Sequence, residues 1–177
     1  MVVDTTEGRA EKENNQSVIY LREAYSLASK YSHDPRTQNG AILVKNRQVI
    51  GQGVNALPLG VKNLPERLER PAKYMWLEHA ERNAIFQAAK WGYEIFGSTL
   101  YVPWYACCDC AKAIIQAGVY KVVGHKQMYD QYGSGPWDES IEIGNKMFEE
   151  AGVITEYYDG EIGSGLKIKI NGVEWCP

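Results

Sequence analysis

Three of the four cysteines in this 177-residue chain fall within four positions, at Cys107, Cys108 and Cys110. They lie in WYACCDCAKAIIQAGV, whose apolar spacing and closing Gly118 predict a helix over 107–117. On a helix, residues three apart share a face and residues two apart do not. Cys107 and Cys110 therefore form the pair, and Cys108 points elsewhere. A helix N-terminus favours thiolate through its dipole and free N–H groups, and thiolate is the form that binds zinc.

Two sulfurs do not complete a zinc site. The chain offers three histidines, His33, His79 and His125. His79 stands in EHAERNAI, with Glu81 two residues on. An H-x-E segment followed by C-x-x-C is the pattern of zinc-dependent nucleobase deaminases, in which the Glu is no ligand but carries protons. A His-Cys-Cys set leaves a fourth position for water, which marks a catalytic zinc rather than a closed structural one. A C-x-x-C alone also serves as a redox pair or as half of a structural zinc site. The first reading leaves Glu81 without a role. The second needs a further ligand, and His33, His125, Cys108 and Cys176 form no spaced second half. Two apart on an ideal helix, His79 and Glu81 point to opposite sides. They serve one site only if the helix starts close to His79.

The elements that must position these groups are readable in outline. Helical spacing is predicted for 18–31, 78–90, 107–117 and 137–151. Strands are predicted for 41–46 and 48–54, joined tightly at Asn46-Arg47, and for 98–104, 119–125 and 153–158. Residues 55–77, with three prolines and several charges, form a long connection of the kind that often carries function. Asn171-Gly172 between alternating residues signals a C-terminal hairpin. Strands alternating with helices give an α/β protein with a largely parallel sheet. The polar opening is read as a loose arm over 1–16, and 17–177 as a single domain ending in the hairpin extension.

The composition narrows the partners. The net charge is −3 and no basic stripe is evident, which argues against nucleic acid. No run is long enough to span a membrane, and no leader pattern opens the chain. The cytoplasm is the expected location, the host's if the gene is viral. In a reducing compartment clustered cysteines read as metal ligands or reactive thiols.

EHAERNAI and YACCDCAKAIIQAGV together resemble the deoxycytidylate (dCMP) deaminases. DPRTQNGAILV and GVNALPLG resemble two upstream segments of that family, in the same order. The resemblance implies a three-layer α/β/α sandwich around a five-stranded mixed sheet, and a homo-oligomer, a hexamer by preference. It implies hydrolytic conversion of dCMP to dUMP with loss of ammonia, activation by dCTP and inhibition by dTTP, with Mg²⁺ accompanying those effectors. A variant accepting dCTP is an alternative, as is a polynucleotide base deaminase.

Residue by residue, it implies Zn²⁺ on His79, Cys107 and Cys110, with Glu81 as proton carrier. The backbone at Ala80 is expected to meet the base carbonyl, and Asn55 the sugar or base. Thr37 and Arg36 are candidates for sugar and phosphate, and Tyr129, placed in the loop after the fourth strand, for the pocket wall. Arg36 reads equally as a solvated surface charge. Gly53, Val54 and Ala56 stand where the family's regulatory nucleotide is expected. Two departures bear on this. Ala106 replaces a proline before the first cysteine, and Ala56 replaces the last glycine of the family's GYNG. Residues 56–78 contain no Cys or His, so a second, structural zinc has no ligand set.

Overall fold

A computed structural model describes residues 6–132, 137–163 and 165–177. Helix α1 (Thr6–Tyr31) leads into the hairpin of β1 (Gly40–Lys45) and β2 (Gln48–Val54). The short α2 (Lys73–Trp76) precedes α3 (Ala80–Lys90), β3 (Thr99–Tyr101) and α4 (Cys108–Gln116). There follow β4 (Lys121–His125), α5 (Lys126–Tyr132), α6 (Asp138–Ala151) and β5 (Ile154–Tyr158). A two-stranded hairpin, β6 (Ile168–Ile170) and β7 (Val173–Trp175), ends the fold.

The five main strands form one mixed sheet in the order β2-β1-β3-β4-β5. The pairs β1–β2 and β1–β3 are antiparallel, while β3–β4 and β4–β5 are parallel. The sheet is covered on both faces, as the alternation within β1 requires. Ala41 and Leu43 pack with α3, α4 and α6, whereas Ile42 and Val44 pack with α1 and the C-terminal hairpin. This is the α/β/α sandwich with a mixed five-stranded sheet that the family resemblance implies; the largely parallel sheet expected from the alternation of elements is parallel only across β3, β4 and β5, because β1 and β2 form a hairpin and β3 runs antiparallel to β1.

Local chemistry explains the joints. Asn46 and Arg47 both take positive φ, 51° and 64°, the geometry of a two-residue hairpin turn. Gly51 and Gly53 let α3 lie directly on β2. A Cβ on them would sit 2.3 Å from the Ala84 carbonyl oxygen and 2.1 Å from that of Ala80. Gly152, with φ 72°, closes α6 in the left-handed conformation.

Three other expectations shift. The arm read as loose is helical from Thr6, because its Glu, Lys, Ala and Gln residues favour helix without any apolar stripe to reveal it. The strand expected over 98–104 keeps only 99–101 as regular strand, since Pro103 has no N–H to give a ladder. Tyr129 lies not in a loop but on α5, a helix supported by the Lys126–Asp130 ion pair at 2.7 Å and buried Met128. Among the described residues, no helix is long and apolar enough to cross a membrane.

The C-terminal hairpin covers the α1 side of the core. Ile168, Ile170 and Trp175 are buried there. The Lys169 backbone exchanges hydrogen bonds with Gln38, and the Gly172 N–H donates to the Arg36 carbonyl.

Candidate active site

Two helices begin side by side, and the chemistry gathers where they begin. His79 is the N-cap residue of α3, with extended backbone (ψ 154°), so its ring reaches forward off the helix end. Cys107 holds the same position on α4 (ψ 168°), and Cys110 lies one turn inside. Each cap residue closes its first turn with its carbonyl, to Asn83 N–H and Ala111 N–H. Neither side chain serves as a cap. Both are thereby free to face each other. The His79–Glu81 conflict disappears: His79 precedes the helix and Glu81 is its second residue.

His79 Nδ1 lies 3.5 Å from the Sγ of Cys107 and 3.5 Å from the Sγ of Cys110. Zn–S bonds of about 2.3 Å and a Zn–N bond of about 2.05 Å at a tetrahedral angle separate S and N by about 3.5 Å. The three side chains therefore fit a zinc ion, their ligand atoms all lying within 4.8 Å of one another. They are the one group of this kind among the described residues.

The other sulfur and imidazole groups are engaged elsewhere. The Cys108 N–H donates to Ser140 Oγ, and its thiol faces Asp109. His33 Nδ1 accepts the Leu57 N–H at 3.1 Å. His125 is fully buried between the Tyr25 hydroxyl at 2.7 Å and the Gly160 carbonyl at 2.9 Å. Burial holds its pKa down, against that carbonyl contact.

The electrostatics suit a metal-binding hydrolytic centre. The Cys107 thiol is pushed down to about 3, first by the hydrogen bond from Cys110 and then, against burial, by that from His79. Cys110 is pushed up as the donor of that pair and by burial. Burial pulls His79 down, but its bond to Cys107 and the charges of Glu81 and Cys107 raise it on balance. Glu81 is 1 % exposed. Burial pushes its carboxyl up to about 6, against the pull of His79. Arg82 directs Nη1 at Cys110 Sγ, 3.6 Å away, and is paired with Glu78.

A cleft enclosing about 690 Å³, part of it open to solvent, runs from these groups to the surface. His79, Glu81 and Cys107 form one end; Trp104, Tyr74 and Trp137 give apolar walls. Trp137 meets the His79 ring and the Tyr74 ring edge-on, each at 5.7 Å between centroids.

Of the other residues singled out from the sequence, Thr37 and Asn55 line this cleft. Asn55 also has partners within the fold: its Nδ2 donates to the Thr37 carbonyl at 2.9 Å and its Oδ1 accepts the Ala80 N–H at 3.1 Å, which leaves one N–H and one lone pair. It substitutes for the cap that His79 does not supply, and the Ala80 N–H is thereby taken. Arg36 is exposed and lies beside Gly172 of the hairpin, outside the cleft. Tyr129 also lies outside, in a neighbouring hollow, edge-on to Tyr105, which lines both spaces, and tilted against Tyr157. Gly53 is consumed by its contact with α3, the Val54 carbonyl accepts from Asn83, and Ala56 bridges Glu78 through two backbone bonds.

Sequence reasoning missed the residues that the 55–77 connection delivers. Arg70, Lys73, Tyr74 and Leu77 line the cleft. The helical periodicity of Lys73–Trp76 is too short to register, and a buried lysine leaves no mark in a pattern of polar residues.

A histidine, two thiol sulfurs and a buried acid at the heads of two helices define a zinc-dependent hydrolytic centre. The cytidine and deoxycytidylate deaminase zinc-binding region matches residues 14–126, and the chain belongs to that family. The deoxycytidylate deaminase of Enterobacteria phage T4 is 49% identical over 161 residues, covering 68% of this chain and 82% of that protein. An uncharacterized deaminase of Aliivibrio fischeri is 36% identical over 127 residues, covering 72% and 83%. The dCMP deaminase of cyanophage S-TIM5 in apo form superposes with a TM-score of 0.61 at 31% identity, covering 80% of this chain and 95% of that one. The same enzyme in complex with dCMP and dUMP gives 0.58 at 30% identity, covering 78% and 93%.

Proposed function

We propose that this protein hydrolyses dCMP to dUMP and ammonia. The observation that carries this is the convergence of His79 Nδ1 on Cys107 and Cys110 in the cleft that also buries Glu81. The deoxycytidylate deaminase of phage T4 and the S-TIM5 enzyme solved with dCMP and dUMP support this nucleotide.

Zinc held by His79, Cys107 and Cys110 would supply a water of lowered pKa. Glu81 carries the protons. With a pKa raised to about 6, its carboxylate takes up and returns a proton near neutrality at little cost. The C4–N bond of cytosine breaks and C4 gains the water oxygen. Of the two water protons, one ends on ring N3 and one on ammonia, and Glu81 is the group placed to deliver both. Tyr74, Trp104 and Trp137 exclude water around the base. Asn55 holds the head of α3 in place and lines the cleft where the sugar or base would lie. Arg70, an exposed cation lining the cleft, replaces Arg36 as the phosphate partner.

Activation by dCTP, inhibition by dTTP, Mg²⁺ with either effector, and a hexamer belong to the same proposal.

The test is ammonia release by zinc-analysed protein offered dCMP, dCTP, cytidine and adenosine in turn. Turnover of dCMP is expected, raised by dCTP and lowered by dTTP. Equal turnover of dCTP would favour the broadened variant. Bound zinc without turnover of any substrate would overturn the reading, and tight, salt-sensitive tRNA binding would then favour a polynucleotide substrate. Light scattering tests the hexamer.

A further inference from the structure

The two helices that carry the ligand set each begin with a residue whose side chain does not cap. On α3 that duty passes to Asn55, whose Oδ1 accepts the Ala80 N–H at 3.1 Å. On α4 it passes to Ser140, whose Oγ accepts the Cys108 N–H, also at 3.1 Å. In both cases the group taken is the first N–H inside the helix, which has no partner within the helix itself. Ser140 comes from α6, 32 residues further along the chain.

The Cys108 N–H shares one rigid peptide plane with the Cys107 carbonyl. That carbonyl accepts the Ala111 N–H at 2.8 Å. The peptide is therefore pinned at both ends, by its own helix on one side and by α6 on the other. A pinned peptide fixes ψ of Cys107, here 168°, and ψ decides where the Cα–Cβ bond points relative to the helix. The sulfur is one rotatable bond beyond. The α6 backbone lies close enough to do this because residue 144 is glycine. A Cβ there would stand 3.1 Å from the Ala106 carbonyl oxygen and 3.5 Å from the Cys107 carbonyl carbon. Trp137, the N-cap residue of α6, reaches the other ligand and meets the His79 ring edge-on.

We propose that Ser140 is a positioning residue of the metal centre: by holding the peptide between Cys107 and Cys108 it aims the Cys107 sulfur and sets the affinity for zinc. The inference rests on the zinc reading of His79, Cys107 and Cys110 given above. Without the hydroxyl the peptide is free to tilt toward water, and Cys107 Sγ is no longer held 3.5 Å from His79 Nδ1. Groups that orient a metal ligand typically change metal affinity by about tenfold to a hundredfold when removed. Ser140 is half-buried, so removing its hydroxyl leaves the core intact.

The test compares wild type, Ser140→Ala and Ser140→Thr in three ways: competition for zinc with a chromophoric chelator, melting with and without zinc, and the visible spectrum of the cobalt(II)-loaded protein. Ser140→Ala should bind zinc about tenfold to a hundredfold more weakly. Its gain in melting temperature on zinc loading should be smaller than that of wild type, because the gain follows affinity. Its cobalt spectrum should change, reporting an altered coordination geometry. Ser140→Thr, which keeps the hydroxyl, should match the wild type in affinity and spectrum. A cap with a structural role alone would lower melting equally with and without zinc and leave affinity and spectrum unchanged. That outcome would overturn the inference and leave the zinc reading standing. So would a loss in Ser140→Thr equal to that in Ser140→Ala. Failure of the wild type to bind stoichiometric zinc would overturn the zinc reading itself, and this inference with it.

Discussion

Lys73 Nζ lies 2.5 Å from Asp34 Oδ2, and both side chains are almost wholly buried in the cleft wall. The pair ties the 55–77 connection to the turn before β1. Asp34 Oδ1 simultaneously holds that turn through the Arg36 and Thr37 N–H groups. Removing one partner of a buried pair leaves an uncompensated charge and costs about 3–5 kcal/mol. Lys73→Met should lose about that much in urea unfolding, and it should raise KM for dCMP because the wall carrying Arg70 and Tyr74 is released.

Glu81 makes a prediction of both rate and stability. Glu81→Gln should bind zinc normally and lose activity by at least about a hundredfold. Because burial raises the carboxyl from 4.5 to about 6, the folded state binds the proton more tightly than the unfolded chain. The corresponding stability is complete below pH 4.5 and is lost as pH rises through 6. In zinc-free protein, Glu81→Gln should therefore be more stable than wild type by up to about 2 kcal/mol at pH 7, with the difference gone by pH 4.5. Denaturant titrations at the two pH values check this.

The three clustered cysteines should separate cleanly. Cys107→Ser and Cys110→Ser should abolish stoichiometric zinc, measured by metal analysis after gel filtration. Cys108→Ser should keep one zinc per chain and full activity, since its thiol faces away from His79.

Arg82 donates toward Cys110 Sγ and brings a positive charge to the sulfur pair. Groups in that position typically alter metal affinity by about tenfold to a hundredfold. Arg82→Gln should show a loss of that size in competition with a chromophoric chelator, with Glu81 and the ligands themselves untouched.

Asn55→Ala should cost about 1–2 kcal/mol, the usual worth of a helix cap, because the Ala80 N–H loses its acceptor. It should also slow turnover, since the head of α3 carries both His79 and Glu81. Thermal unfolding and kcat measure the two effects separately.

The zinc ligands are legible in the sequence because their spacing is a helix property. Cys107 and Cys110 need only the three-residue rule, and the steric conflict between His79 and Glu81 fixes the start of α3 at His79. The β1–β2 hairpin is legible from alternation and a polar turn. Asn55, by contrast, reads as a ligand contact, and beside its place in the cleft wall it also caps α3 through the Ala80 N–H. Sequence does not tell whether an amide will be used by the backbone or by a substrate. Arg36 and Arg70 are indistinguishable as letters; only the folding of the long connection puts Arg70 in the cleft and leaves Arg36 at the hairpin. The place of Tyr129 is hidden because α5 is too short and too polar to show a period.

Ala56 and Glu78 exchange two backbone hydrogen bonds, at 3.0 and 2.8 Å. That bridge is a neck. The segment from Leu57 to Leu77 leaves and returns through it, fastened again at Leu57 to His33 and at Lys73 to Asp34, and His79 begins just below. A loop tied off at its base transmits little of its own length to the helix beyond it, and doubling a flexible loop costs only about 0.6 kcal/mol. The segment around 59–63 can thus be lengthened, shortened or exchanged while the metal ligands stay in register. The metal-site residues are anchored beneath the neck, while Arg70, Lys73, Tyr74 and Leu77 reach the cleft from above it, so that part of the wall can diverge on a separate schedule.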